Sequence, residues 1–180
     1  MGHGTDPRWF PDEVGRNDAE ARFLQRIRQI AAGWSVPGLT PERDTSSLTV
    51  LLPLYVDVDV ADLPIARRTL QIGYWTGEHY EQALQGAWGD VYLLDDHDGN
   101  DPEDLTVVGL RAGPEEYAEW AADWLLRQLH RPIVRQEWRH NGRMVAATWR
   151  LDDTGRVLGA QGHSMRRLLR RRPDRVVLVR

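Results

Sequence analysis

The chain holds no cysteine, and all 23 of its basic residues are arginine. The missing thiols exclude disulfides, thiolate metal sites and a cysteine nucleophile. The missing lysines exclude Schiff-base chemistry and the phosphate-binding lysine of a P-loop, and they read as the codon bias of a GC-rich genome. The N-terminus shows no charged-then-apolar leader, and no apolar run approaches the length of a membrane span. These absences predict a soluble, cytoplasmic protein. The six histidines are scattered without His-x-His or His-Glu-x-x-His spacing, and no cofactor is expected.

Eight tryptophans are many for 180 residues. Most should sit in the core, with a few free to serve as interface anchors. Charge is uneven: residues 156–180 carry eight arginines against Asp174 alone, while the remaining chain carries 15 arginines against 26 carboxylates. Such a dipolar molecule steers toward charged partners, but the pattern is silent on fold.

The clearest pattern runs from Gly113 to Ala160. Gly113-Pro114-Glu115-Glu116 starts a helix, with proline at the first helical position and carboxylates beside the free N–H groups. Glu116, Glu119, Asp123, Arg127 and His130 form one wet stripe, in which Asp123 and Arg127 are an i,i+4 pair. The wide apolar remainder, which includes Trp120, predicts a helix lying across a sheet. Asn141-Gly142 then marks a two-residue hairpin with His140 opposite Arg143. The register that follows sets Trp138 against Val145, Glu137 against Ala146 and Val134 against Trp149, giving one core face and one wet face. A second turn at Asp152–Gly155 completes a meander, with Leu158 opposite Trp149.

The flanks are read in order. Residues 1–16 form an arm that docks through Trp9-Phe10, and Asn17 with Glu20 opens a capped helix that ends at Gly33. Residues 34–46 are a loop. Period-two alternation from Leu48 to Val60 predicts one long strand, edged or bulged at Pro53, with Asp57 and Asp59 outward. A turn at 62–64, a strand at 66–75, a short helix at 76–86, and strands at 91–94 and 105–110 follow. A helix at 165–172 and a terminal strand at 176–179 close the chain. The expected fold is α+β: a mainly antiparallel sheet of hairpins and a three-stranded meander, with two main helices packed on it. One domain over 17–180 is the default, and a weak pseudo-duplication would divide it near residue 112.

Three segments could carry chemistry. Gly162-His163-Ser164-Met165 resembles the nucleophile elbow of α/β-hydrolases, but Arg166 stands where that motif has glycine and the preceding strand belongs to an antiparallel meander, so a helix N-cap is the plainer account of Ser164. The acidic loop 95–104 places Asp96, Asp98 and Asn100 at alternate positions, as oxygen ligands for a hard cation would be, and solvated turn residues are the plainer account. Arg166, Arg167, Arg170, Arg171 and Arg172 could meet nucleic-acid phosphates or a protein partner, or pair with that acidic loop.

No catalytic constellation emerges, so the sequence leans away from an enzyme. Its leading expectation is a non-catalytic protein-interaction module: an adaptor, a chaperone or an immunity-type binding protein. A nucleic-acid-associated protein using the arginine segment is the alternative, and a metal-dependent hydrolase using the acidic loop is the second. Another protein is the expected partner, a second copy of the chain is allowed, and a membrane is not expected.

Overall fold

The computed structural model describes residues 8–11, 14–60, 68–90, 94, 97–162 and 172–180. Its elements are α1 (Asp18–Ala31), α2 (Pro41–Asp44), β1 (Thr45–Leu48), β2 (Leu54–Asp59), β3 (Arg68–Trp75), β4 (Ala83–Asp90), β5 (Leu105–Val108), α3 (Pro114–Leu129), β6 (Ile133–His140), β7 (Arg143–Leu151), β8 (Val157–Gly162) and β9 (Arg175–Leu178). The fold is α+β, with two antiparallel sheets ordered β1-β2-β3-β4-β5 and β8-β7-β6-β9 and two main helices packed together. The chain forms two compact units, one of residues 1–61 and 69–129, the other of residues 62–68 and 130–180. No helix among the described residues is long and apolar enough to cross a membrane.

In the first unit, Asn17 caps α1 by accepting from the Glu20 N–H. The returning Glu20 carboxylate reaches the Arg16 N–H at 2.8 Å, one residue earlier than a capping box has it. Phe23, Leu24 and Ile27 are fully buried. Arg22 pairs with Glu115 and Arg26 with Glu119, so α1 and α3 run side by side in the same direction. Both lie on one face of the five-stranded sheet: Phe23 stacks on Tyr74 of β3 at 4.5 Å, and Trp124 of α3 sits over Gly86 of β4. A Cβ at Gly86 would lie 3.1 Å from the Trp124 ring and 2.7 Å from Ile72 Cδ1, so only glycine lets the helix come this close. The N-terminal arm does dock. Trp9 and Phe10 are buried against Trp34, the Phe10 N–H donates to Thr45 Oγ1, and Arg28 donates to the Phe10 carbonyl.

Three local expectations are corrected here. The strand expected over 48–60 is two strands. The chain turns through residues 49–53, where the Leu52–Pro53 peptide is cis, and β1 folds back to pair with β2. Proline's missing N–H breaks the ladder where the apolar alternation continues, and Val50, Leu51 and Leu52 are left exposed. The expected helix at 76–86 is instead a turn followed by β4, because Tyr80, Ala83 and Leu84 fit helical spacing but Gly86 and Trp88 need the sheet. The expected loop at 34–46 contains α2 and the start of β1. The turn expected at 62–64 lies outside the described residues, as does the strand expected at 91–94 apart from Leu94.

In the second unit, the Asn141-Gly142 turn forms as read, with φ of 49° and 77°, and His140 pairs with Arg143. Beyond it the register slips by one. Arg139 faces Met144, but Trp138 faces Ala146, so Val145 is an extra residue in β7. Gly162 lies against this bulge, and a Cβ there would be 2.2 Å from the Val145 carbonyl oxygen. A second slip makes Gly159, not Leu158, the partner of Trp149. The expected division into core and wet faces therefore fails. Glu137 now pairs with Ala147 and Arg135 with Trp149, and buried residues occupy both faces. Glu137 is 2% exposed and bridges Arg135 at 2.6 Å and Arg139 at 2.9 Å. Burial alone would raise its pKa, but the hydrogen bonds and charges of the two guanidinium groups hold it below the usual glutamate value.

Candidate protein-interaction groove

The segments singled out by sequence fall unevenly on the structure. Arg166, Arg167, Arg170, Arg171, Ser164 and Asp96 lie outside the described residues, as does the helix expected at 165–172 apart from Arg172, which is exposed. Asp98 accepts from the Asn100 backbone N–H at 2.9 Å and from its side-chain amide at 3.2 Å. The buried Asp104 accepts from the Asp98 N–H, and Asp101 accepts from the Glu103 N–H. These side chains close the turns of their own loop. Among the described residues no group of three or more acidic or histidine side chains could hold a metal ion.

A different place stands out. β5 is one edge of the five-stranded sheet, β1 being the other. Leu105 and Val107 of β5, Leu110, and Trp120, Asp123 and Arg127 of α3 line a groove of about 280 Å³. Leu110 is 54% exposed and the adjoining Val108 48%. A polar hollow of about 340 Å³ shares Leu110 and is lined by Tyr80, Glu81 and Arg111 among others.

The wall of the groove is held rigidly. The Trp88 indole donates to Gln128 Oε1 at 2.9 Å, and the Trp124 indole donates to the Glu103 carbonyl at 3.0 Å. The Tyr117 hydroxyl donates to the Leu110 carbonyl at 2.6 Å. Trp120 meets Tyr117 edge-on at 5.1 Å, and Tyr117 lies 5.4 Å from Tyr74. An aromatic series thus runs from the Phe23–Tyr74 stack in the core out to the groove, and it fixes the one tryptophan of α3 that is not buried.

The wet stripe on α3 is as the sequence gives it: Glu116, Glu119, Asp123, Arg127 and His130 are all exposed. The Asp123–Arg127 pair does not form, and neither side chain makes an ion pair among the described residues. An exposed i,i+4 pair is worth only a few tenths of a kcal/mol, too little to hold two long side chains together. Trp120 follows Glu116 by one turn and precedes Asp123 by three residues, so the helical wheel already sets it beside the stripe. That was the available signal for the groove. Its apolar neighbours nevertheless point this tryptophan to the core, because nothing local in the sequence reveals how far the helix layer extends.

The other unexpected group is Asp57. Its neighbours on β2 and β3, Tyr55, Thr69 and Gln71, are buried, and its Oδ1 is buried without a hydrogen-bond partner among the described residues. Loss of water pushes its carboxyl up to about 7, against the lowering effect of a hydrogen bond with Gln71, with the Asp59 charge adding to the rise. The outward phase of this strand is therefore not the solvated face that alternation implies.

Compared with known protein families, curated proteins and solved structures, the chain matches none, so the reading of the groove stands on its own residues.

Proposed function

We propose that the protein is a non-catalytic protein-interaction module, of the adaptor, chaperone or immunity-type kind, and that it takes its partner in the groove between β5 and α3. The carrying observation is the groove itself. Leu105, Val107, Leu110 and Trp120 form one apolar concavity on a chain in which 28% of residues are charged. Apolar side chains gathered in a surface hollow beside a sheet edge are a recurrent seat for a partner's extended segment. The lining also has the composition of an interface: an aromatic anchor beside aliphatic side chains, with one acidic and one basic residue.

Quantitative affinity capture from the native cell tests this, using the wild-type chain beside Trp120→Ala and Leu110→Asp. At least one protein should be retained by the wild type and depleted roughly tenfold by both variants, the loss of a single hot spot of about 1.4 kcal/mol. Identical retained sets for all three chains would remove the groove from the function.

A further inference from the structure

The floor of the groove is a sheet edge, and its backbone says how a partner is held. β5 pairs with β4 so that Leu84 faces Val107, Gln85 faces Thr106 and Gly86 faces Leu105. One step further along, the Gly109 N–H donates to the Gln82 carbonyl. Hydrogen-bonded pairs alternate with non-bonded pairs in an antiparallel ladder. Counting from Gln82–Gly109, the bonded pairs are Leu84–Val107 and Gly86–Leu105. Thr106 and Val108 therefore turn their N–H and C=O groups away from β4. Among the described residues no other backbone group meets them, and the His97 ring engages β5 only at the Thr106 hydroxyl and the Leu105 carbonyl, both at 3.0 Å. The side chains of Leu105 and Val107, in turn, rise on the helix side of the sheet and form the groove floor.

The geometry points to strand addition: an extended segment of a partner polypeptide pairs with β5 as a sixth strand and seats every second side chain, apolar, against Leu105, Val107 and Trp120. This rests on the reading of the groove as a protein-interaction site, and it names the form of the partner. A polypeptide fits because the edge offers main-chain donors and acceptors at strand spacing beside apolar pockets for alternate residues. A lipid or an aromatic small molecule would leave those backbone groups unused. Charge sets a preference as well. Tyr117 bonds to Leu110 and Trp124 to Glu103, so α3 runs antiparallel to β5 and Arg127 stands at the Leu105 end. The bound segment carries an acidic side chain at that end, where Arg127 has no ion-pair partner among the described residues.

The test uses random linear peptides displayed on phage, selected on the full chain, with the most enriched sequence made as a labelled synthetic peptide. Fluorescence anisotropy should show affinity falling roughly tenfold or more on Trp120→Ala and on Val108→Pro. Val108 turns its N–H outward, so proline there removes the donor offered to the partner and spares the β4 ladder, and circular dichroism and melting should be near wild type. N-methylation along the peptide should abolish binding at alternate residues only, and amide exchange at Thr106 and Val108 should slow in the complex. Should Val108→Pro not fold, the N-methyl scan and the exchange data decide. A peptide that loses affinity on Trp120→Ala but tolerates every N-methyl group, with no protection at Thr106 and Val108, overturns strand addition and leaves the groove standing. No enriched peptide, or enriched peptides indifferent to Trp120→Ala, removes both.

Discussion

Replacing Asp57 by asparagine should stabilise the protein, and the gain should depend on pH in a defined way. The Asp57 carboxyl titrates at about 7 in the folded chain, against about 3.9 for an aspartate in an unfolded chain. A folded-state value raised above the unfolded one means that stability is fully present below about pH 4 and is lost as pH rises toward about 7. Each pH unit of that gap corresponds to about 1.4 kcal/mol, so the ceiling is about 4 kcal/mol above pH 7. Asp57 is only half-buried as a whole residue, with Oδ1 the buried atom, and solvent at the rest of the side chain lowers the figure to about 2–4 kcal/mol. Asparagine keeps a partner for Gln71 and carries no charge to desolvate. Urea unfolding of both chains should therefore show Asp57→Asn more stable by about 2–4 kcal/mol at pH 8 and by about 1 kcal/mol at pH 5. Other titrating groups act on both chains alike and cancel in the difference. A difference that does not change between pH 5 and pH 8, or a variant less stable at pH 8, would refute a desolvated Asp57 carboxyl.

Two further perturbations test the packing. Glu137→Gln leaves Arg135 and Arg139 without their shared carboxylate and should cost about 1–3 kcal/mol at pH 7. Because the folded glutamate titrates below its unfolded value, the stability it contributes is present above the unfolded pKa and lost as pH falls through the folded one, so the gap between the two chains should close in acid denaturation. Phe10→Ala empties a fully buried site in the docked arm and should cost about 3–5 kcal/mol in urea unfolding; a loss under about 1 kcal/mol would mean that the arm does not share the core of its unit.

The parts of the fold that were legible are those where local chemistry suffices. Asn141-Gly142 must adopt positive φ, so the turn was readable, and Asn17 announced its helix by capping it. The errors came where one local code imitates another or where a single residue is inserted. Residues 76–86 satisfy a helical spacing and a strand equally until Gly86 is seen to lie under Trp124. Alternation from Leu48 to Val60 passes through Pro53 unbroken, although the backbone turns there. The Val145 bulge leaves no mark in the pattern of its own strand. It shows only as a glycine, Gly162, on the neighbouring one. Yet that single residue changes the cross-strand partner of the buried Glu137 from Ala146 to Ala147 and that of Arg135 from Thr148 to Trp149. Side-chain period two makes every strand face sensitive to one insertion.

The groove was illegible for a different reason, which is one of width. A helix with its side chains is about 10 Å across, so α1 and α3 side by side cover about 20 Å of sheet. Strands lie about 4.8 Å apart, so five of them span about 24 Å. The two widths are nearly equal, so the helices leave little cover to spare at the sheet's edges, and the groove lies at the β5 edge. Strand order is a property of the whole unit and no window of sequence contains it. Once it is known, the half-buried Leu105 and Val107 and the unburied Trp120 fall together at one edge of the sheet. In the strand-addition proposal, a segment supplied by another chain would pair with β5 at this same edge.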